Sequence, residues 1–435
     1  MLSKSFAFIA MAVIATAVAE PVIKITSDKP IQQDNLVKNG GFEENLKFWN
    51  KLPAKSDGSQ FSFDKMEGTI GEHSLQIKGD PSQQRGAFQR INFNPPLAAG
   101  EPMFLTMRIK KNGCDFENKK YGSIALHASW DKASLKQGEA SSKYLPTFEF
   151  IQEDHDWVYR YHEIPVQPKP ITSMVLYLCY YNNEGYCAFD DICLYRGTCN
   201  ATIEVTGDDA REISVYHSIR GRLLNEKLTG SAVRKLEVPA YGALAVAVTG
   251  ADGKVTWKQY PEDVDGNVTA SENVIPLGAI KRYFMPEEQK IQKFTFDKPA
   301  VPAGKKAYLE FLARANGPRL AGHAPILSVS VNGKTMTEKQ IVKPFKEFTS
   351  STGKIYRVNG RNSYLVFYSP ACFAIDTENT YCPASVPSRN PFEFKVDISD
   401  FLQEGSNTIT FSNTAGFNPK YKPVDIVENP RITIE

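Results

Sequence analysis

After its first twenty residues the chain has no long apolar run. No later segment reaches the roughly 18 to 20 consecutive apolar residues that a membrane-spanning helix requires, so such a helix is not expected there. It also lacks a charge of one sign: 51 Lys and Arg face 49 Asp and Glu, and no basic stripe forms. Nucleic acid is therefore excluded as a main partner. Helical periodicity is nearly absent, which argues against a helical core. No GxSxG, HExxH, GxGxxG or P-loop pattern occurs, which removes the α/β-hydrolase, zincin, dinucleotide and nucleotide-hydrolysing classes. Tryptophan (4) and histidine (6) are scarce, so few aromatic platforms or imidazole ligands are on offer.

The opening residues set the expected compartment. Lys4, the apolar stretch from Phe6 to Val18 and the Ala17-Val18-Ala19 site before Glu20 read as a signal peptide over residues 1–19. The rest is expected to be exported: secreted, periplasmic or on the cell surface. Seven cysteines in such a chain read first as disulfides, and an odd count leaves at least one free thiol. Cys372 and Cys382 share one Pro-rich loop, where a bridge closing a small ring contributes about 3 kcal/mol on the loop-entropy argument. Cys114, Cys179, Cys187, Cys193 and Cys199 fall in the first domain, and their spacings match no zinc pattern.

Abundant Tyr, Phe, Val and Ile in short segments broken by Pro, Gly and Asn predict an all-β protein. Strands are expected at Phe104–Lys110, Gly122–Trp130, Trp157–Ile164 and Ile171–Tyr181 in a first unit, residues 20–198. A second unit, 199–262, has strands near 201–205, 212–217, 234–238 and 244–248 and reads as a small immunoglobulin-like sandwich, usually a spacer. A polar linker, 263–279, leads to a third unit, 280–435, with an Asn332-Gly333 hairpin turn. A long loop lies between about 342 and 391.

Two motifs bracket the first unit. Leu36-Val37-Lys38-Asn39-Gly40-Gly41-Phe42-Glu43 is followed by Trp49, and Phe189-Asp190-Asp191-Ile192-Cys193-Leu194-Tyr195 comes about 150 residues later. The pair resembles the two ends of a carbohydrate-binding module of the family 4/9/16/22 type, a galactose-binding-like jelly roll. The third unit's Val329-Ser330-Val331-Asn332-Gly333-Lys334 and Phe394-Lys395-Val396-Asp397-Ile398 resemble galactose-binding-like accessory jelly rolls of glycosidases. The expected architecture is thus two jelly-roll β-sandwiches separated by a small immunoglobulin-like sandwich.

That resemblance implies a structural Ca²⁺ held by Glu43 and Asp190, with carbonyls of the Gly71–Ser74 turn completing a six-to-eight oxygen shell. Asp191 would face the opposite side. The plainer alternative is that these acids cap turns or pair with cations. Sugar binding calls for flat apolar rings plus convergent polar groups. Trp49 and Trp157 read as core, whereas Trp130 ends a strand and opens to a loop. Trp130, Tyr121, Arg85 and Gln89 are the expected carbohydrate contacts, with Arg85 and Gln89 on one strand face. Tyr177, Cys179 and Tyr181 alternate with Leu176, Leu178 and Tyr180, so one set lines a groove while the other is core; a Cys179–Cys193 bridge is the plainer reading of that Cys. Tyr159 and Tyr161 share one face of their strand, Arg160 and His162 the other, an arrangement that a lyase or an ordinary solvated strand both fit.

No catalytic residue is assigned. The expected function is an exported polysaccharide- or oligosaccharide-binding protein, non-catalytic or accessory to glycan degradation. The alternatives are a glycoside hydrolase or polysaccharide lyase working in a jelly-roll groove, and an adhesin or cell-surface structural protein.

Overall fold

The computed structural model describes residues 20–32, 34–114, 121–145, 147, 154–264, 268–278, 281–283, 291–316, 326–342, 347–349, 355–357, 359–361, 364–366, 392–413 and 424–435. Residues 1–19, Cys372, Cys382 and most of the 342–391 loop lie outside them. The fold is all-β, built of antiparallel sheets.

The chain opens with β1 (Val22–Ser27), then β2 (Asn50–Leu52), β3 (Phe61–Ser62) and a long β4 (Leu75–Leu97). It continues with β5 (Met103–Asn112), β6 (Tyr121–Trp130), β7 (Ser142–Leu145), β8 (His155–Ile164) and a second long strand, β9 (Ile171–Arg196). β4 pairs with residues 171–189 of β9, with register breaks between Lys78 and Gln84 and between Asn92 and Leu97. Each therefore contributes to two sheets. The first sheet runs β2, β4 (84–97), β9 (171–181), β6, β7. The second runs β3, β4 (75–80), β9 (183–196), β5, β8. The result is a jelly-roll sandwich.

Alternation with period two fills it. Ala87, Ile91 and Phe93 on β4, Ile124, Leu126 and Ala128 on β6, and Leu176, Leu178 and Tyr180 on β9 meet Leu105, Met107 and Ile109 of β5. This core resolves the sequence alternative on β9: the Leu176 set is core, and Tyr177, Cys179 and Tyr181 take the outer face.

The second unit comprises β10 (Thr198–Thr206), β11 (Ala210–His217), β12 (Gly221–Lys227), β13 (Ala232–Pro239), β14 (Leu244–Gly250) and β15 (Val255–Tyr260). Its two sheets are β1-β10-β13 and β12-β11-β14-β15. The strand β1, counted in the sequence with the first unit, pairs with β10, and its Ile23 and Ile25 enter the second unit's core beside Ile203 and Val246. Likewise β16 (Val274–Pro276), within the stretch read as linker, pairs with residues 431–433 of the third unit. That unit stacks two further sheets over Phe294, Phe296, Leu309, Val329, Phe394 and Ile409. Asn332 (φ 50°) and Gly333 (φ 79°) make its expected two-residue hairpin turn.

The second unit is a hub rather than a loose spacer. Towards the first unit, Tyr241 stacks on Phe104 at 4.9 Å, and Glu163 accepts from Tyr241 Oη and Arg220 Nε. Towards the third, Asp297 accepts from Ser214 Oγ, Tyr216 Oη and Arg222 Nη1. The first and third units also meet directly. Arg160 Nη2 donates to Glu428 Oε2 at 2.7 Å, the two side chains being only 3% and 1% exposed.

Removing one partner of a buried pair strands the other charge without solvent. Glu428→Ala should therefore cost about 3–5 kcal/mol in urea unfolding, whereas joint replacement of Arg160 and Glu428 by Met and Leu should cost much less.

Candidate functional site

The opening motif is a docking device. Asn35 Oδ1 accepts the N–H groups of Val37 and Leu194, and its Nδ2 donates to Ile192 O. Gly40 lies flat on β9: Ile192 N–H donates to Gly40 O at 3.1 Å, and a Cβ at Gly40 would sit 2.0 Å from Ile192 O. Only glycine fits there. Asn39 and Phe42 take left-handed backbone (φ 51° and 59°), which brings Phe42 into the core against Trp49 at 5.2 Å between ring centroids. Trp49 Nε1 closes the turn on Asn39 O.

At the other end, Asp191 also has left-handed backbone (φ 49°), so β9 bulges. Asp190 turns inward and is fully buried. Its two oxygens accept the N–H groups of Ile70 (2.7 Å) and Asp191 (2.8 Å). Burial nevertheless outweighs these bonds and pushes the carboxyl up to about 6. Glu43 reaches the same loop, accepting from the N–H groups of Glu72 and His73 and from His73 Nδ1. Burial alone would raise it; His73 and the two N–H groups win, and it titrates below the usual range. Gly71 (φ 77°) leaves the room, since a Cβ there would fall 2.2 Å from Glu43 Oε1.

Glu43 and Asp190 thus clasp one loop, but through N–H donors. A calcium site needs oxygen atoms turned towards the ion, and the 70–73 loop turns its amides to these carboxylates instead. The residues present fit the turn-capping alternative better than the metal.

The expected sugar contacts separate. Trp130 is only 9% exposed and belongs to the core, because its parity on β6 follows Leu126 and Ala128. Gln89 is 4% exposed and grips the backbone of Lys38, accepting its N–H and donating to its carbonyl. Arg85 does share its strand face, but it bonds to Lys78 O, Gly79 O and Asp80 where β4 bends. Tyr121 stands opposite Tyr181 in register, and its side chain is outside the described residues. The Trp130, Gln89 and Arg85 side chains hold the fold together. Trp49 is core as expected; Trp157, also expected there, is instead half-buried outside the core and donates to Glu67 O over the neighbouring loop.

Among the described residues the five cysteines form no disulfide. Cys179 lies on the first sheet opposite Gly86 and Ser123, whereas Cys193 lies on the second opposite Thr106, so the expected bridge between them does not form.

What the first sheet turns outward is a set of cross-strand rows. Asn50, Phe88, Tyr177 and Ala125 form one; Arg90, Val175, His127 and Tyr144 the next; Asn92, Ser173, Ser129 and Ser142 a third. Phe88 and Tyr177 are 5.5 Å apart between centroids, His127 and Tyr144 4.6 Å. Tyr144 is 62% exposed, and Arg90 and Asn92 are exposed as well. Burial lifts the Tyr177 hydroxyl above its ordinary range, with Tyr144 adding to it and Arg90 opposing, so these groups feel one another across the face. Sequence reasoning named Tyr177 but missed Asn92, His127 and Tyr144. The signal was the alternation itself, read in the phase opposite to Ala87, Ile91 and Phe93.

No protein-family model matches the chain, and no curated protein matches it. Three of the solved structures that show distant likeness are the following. The N-terminal CBM22-1-CBM22-2 tandem domain of Xyn10C from Paenibacillus barcinonensis is 10% identical over 94% of this chain and 99% of that one, with a TM-score of 0.27. The glycoside hydrolase domain of Endo-D from Streptococcus pneumoniae R6 is 14% identical over 46% of this chain and 35% of that one, at 0.19. This chain therefore spans about a third of that domain. A triple jelly-roll turret protein of an archaeal virus is 9% identical over 89% and 96%, at 0.16. At such scores these likenesses carry no argument.

The clasp has a pH signature. Because Asp190 is held near 6 in the fold against about 3.9 in an unfolded chain, its contribution is fully present below pH 4 and is lost as pH rises through 6. Urea unfolding should show about 3 kcal/mol of stability lost between those limits, and Asp190→Asn should lack that component. Chelation of divalent cations should leave the melting temperature unchanged, since N–H groups already satisfy the two carboxylates.

Proposed function

We propose that this is an exported carbohydrate-binding protein that lays a polysaccharide across the outer face of its first sheet. The observation that carries the reading is the three adjacent rows. Two aromatic pairs offer flat C–H-stacking surface, while Asn50, Arg90, Asn92, Ser129 and Ser142 offer hydrogen bonds on either side. Sugar rings need both kinds of surface at once. These rows carry no carboxylate, and glycoside hydrolysis by the usual route needs two. The face is therefore suited to holding a chain rather than to hydrolysing it.

A second reading rests on one row. Arg90, His127 and Tyr144 stand across neighbouring strands. A lyase uses such a trio, with His or Tyr removing a proton beside a uronate carboxylate that Arg neutralises. Product formation separates the two readings.

Affinity electrophoresis in polysaccharide gels, run beside an assay for reducing and unsaturated ends, tests both. Retardation without products supports binding; unsaturated products that vanish in His127→Ala and Tyr144→Phe establish the lyase; neither retardation nor products rejects both. Tyr177→Ala and Phe88→Ala should each weaken binding about tenfold or more, equivalent to ~1.4 kcal/mol. Trp130→Ala should instead lower stability by about 3–5 kcal/mol, with affinity of the folded protein unchanged.

A further inference from the structure

The second sheet's outer face is mostly sealed. Phe104, Tyr195, Ile219, Tyr241 and Val268 pack there, with Tyr159, Tyr161 and Val264 around them. One part is not. A cavity of about 440 Å³ opens where this face meets the segment before β2 and the segment after β15. Its volume falls within the range of small-molecule sites.

Its walls come from three parts of the chain. Asp191, at the bulge in β9, lines the cavity, and Asp263 lines it from the segment after β15. Thr106 and Tyr159 add hydroxyls, while Ile31 and Val264 supply apolar surface. Among the described residues neither Lys nor Arg lines the cavity, so its two carboxylates give that wall a negative charge. An anionic ligand is repelled. A bare divalent cation wants six to eight oxygens at close range, and this space is far wider. A neutral polyhydroxylated ring matches the chemistry: carboxylates accept hydroxyl protons in charge-assisted bonds, Thr and Tyr hydroxyls donate in return, and the apolar wall takes C–H groups.

We propose that the cavity between Asp191 and Asp263 is a second binding site, for a single neutral sugar residue, separate from the outer face of the first sheet. It joins the first unit to the second, so an occupant would bridge them.

The test uses the full chain, with saturation-transfer NMR and calorimetry against glucose, galactose, mannose, xylose, arabinose, fucose and N-acetylglucosamine, with glucuronate and calcium chloride as contrasts. At least one neutral monosaccharide should bind with a millimolar Kd, and glucuronate should not. Asp263→Asn, at an exposed position, should weaken that binding tenfold or more. Asp191→Asn should do the same, since Asn tolerates left-handed backbone and the fold is kept. Tyr177→Ala should leave monosaccharide binding intact while weakening polysaccharide retention. Monosaccharide binding unchanged in both Asp variants overturns the proposal, as does no binding across the panel, or a calcium heat lost in Asp263→Asn without any sugar response. None of those outcomes bears on polysaccharide retention, so the reading of the outer face stands or falls separately.

Discussion

Everything in the first unit depends on one contact, the seating of Gly40 against Ile192 where β9 bulges. The bulge exists because Asp191 adopts left-handed backbone, and it shifts the register of β9 on β5 between Thr106 and Arg108, where the two adjacent carboxylates lie. Asp190 is buried under the 70–73 loop that it holds, and Asp191 lines the cavity at the seam with the second unit. The opening motif is shaped to meet this feature: Asn35 ties to β9 just after it, at Ile192 and Leu194, and Phe42 fills the core. The motif and the last strand are two halves of one joint.

That joint has a consequence for where function can sit. The β4–β9 pair feeds both sheets, so closing the sandwich leaves two outer faces. The second sheet's face is taken up by Phe104, Tyr195 and Tyr241 in packing against the second unit. The first sheet keeps Arg90, Asn92 and Tyr144 exposed. The aromatic and polar rows proposed for a glycan chain lie there, on a sandwich braced through Glu163 and the Arg160–Glu428 pair.

The sequence disclosed the sheet class and the clasp because both are local. Alternation in Ile124–Trp130 and Ile171–Tyr181 and turns such as Asn332-Gly333 read directly as strands and hairpins. It misdirected where pairing is non-local. Nothing near Val22–Ser27 says that β1 belongs with β10, some 170 residues away. Trp130 drew attention as the rare large aromatic at a strand end, yet parity with Leu126 and Ala128 sends it inward. Gln89 and Arg85 shared a face as expected, but which face is core depends on neighbours β2, β6 and β9, and only tertiary packing supplies those. Tyr144 was invisible because its value comes from His127 on the adjoining strand.

The central claim is that the outer rows of the first sheet are the polysaccharide surface. Hydrogen–deuterium exchange on the full chain, with and without a retained soluble polysaccharide, tests it most directly. The account predicts protection confined to the strand segments 86–92, 124–129, 142–145 and 172–178, with the 70–73 loop and the third unit unaffected. Protection centred on the third unit, with those segments unchanged, would contradict it.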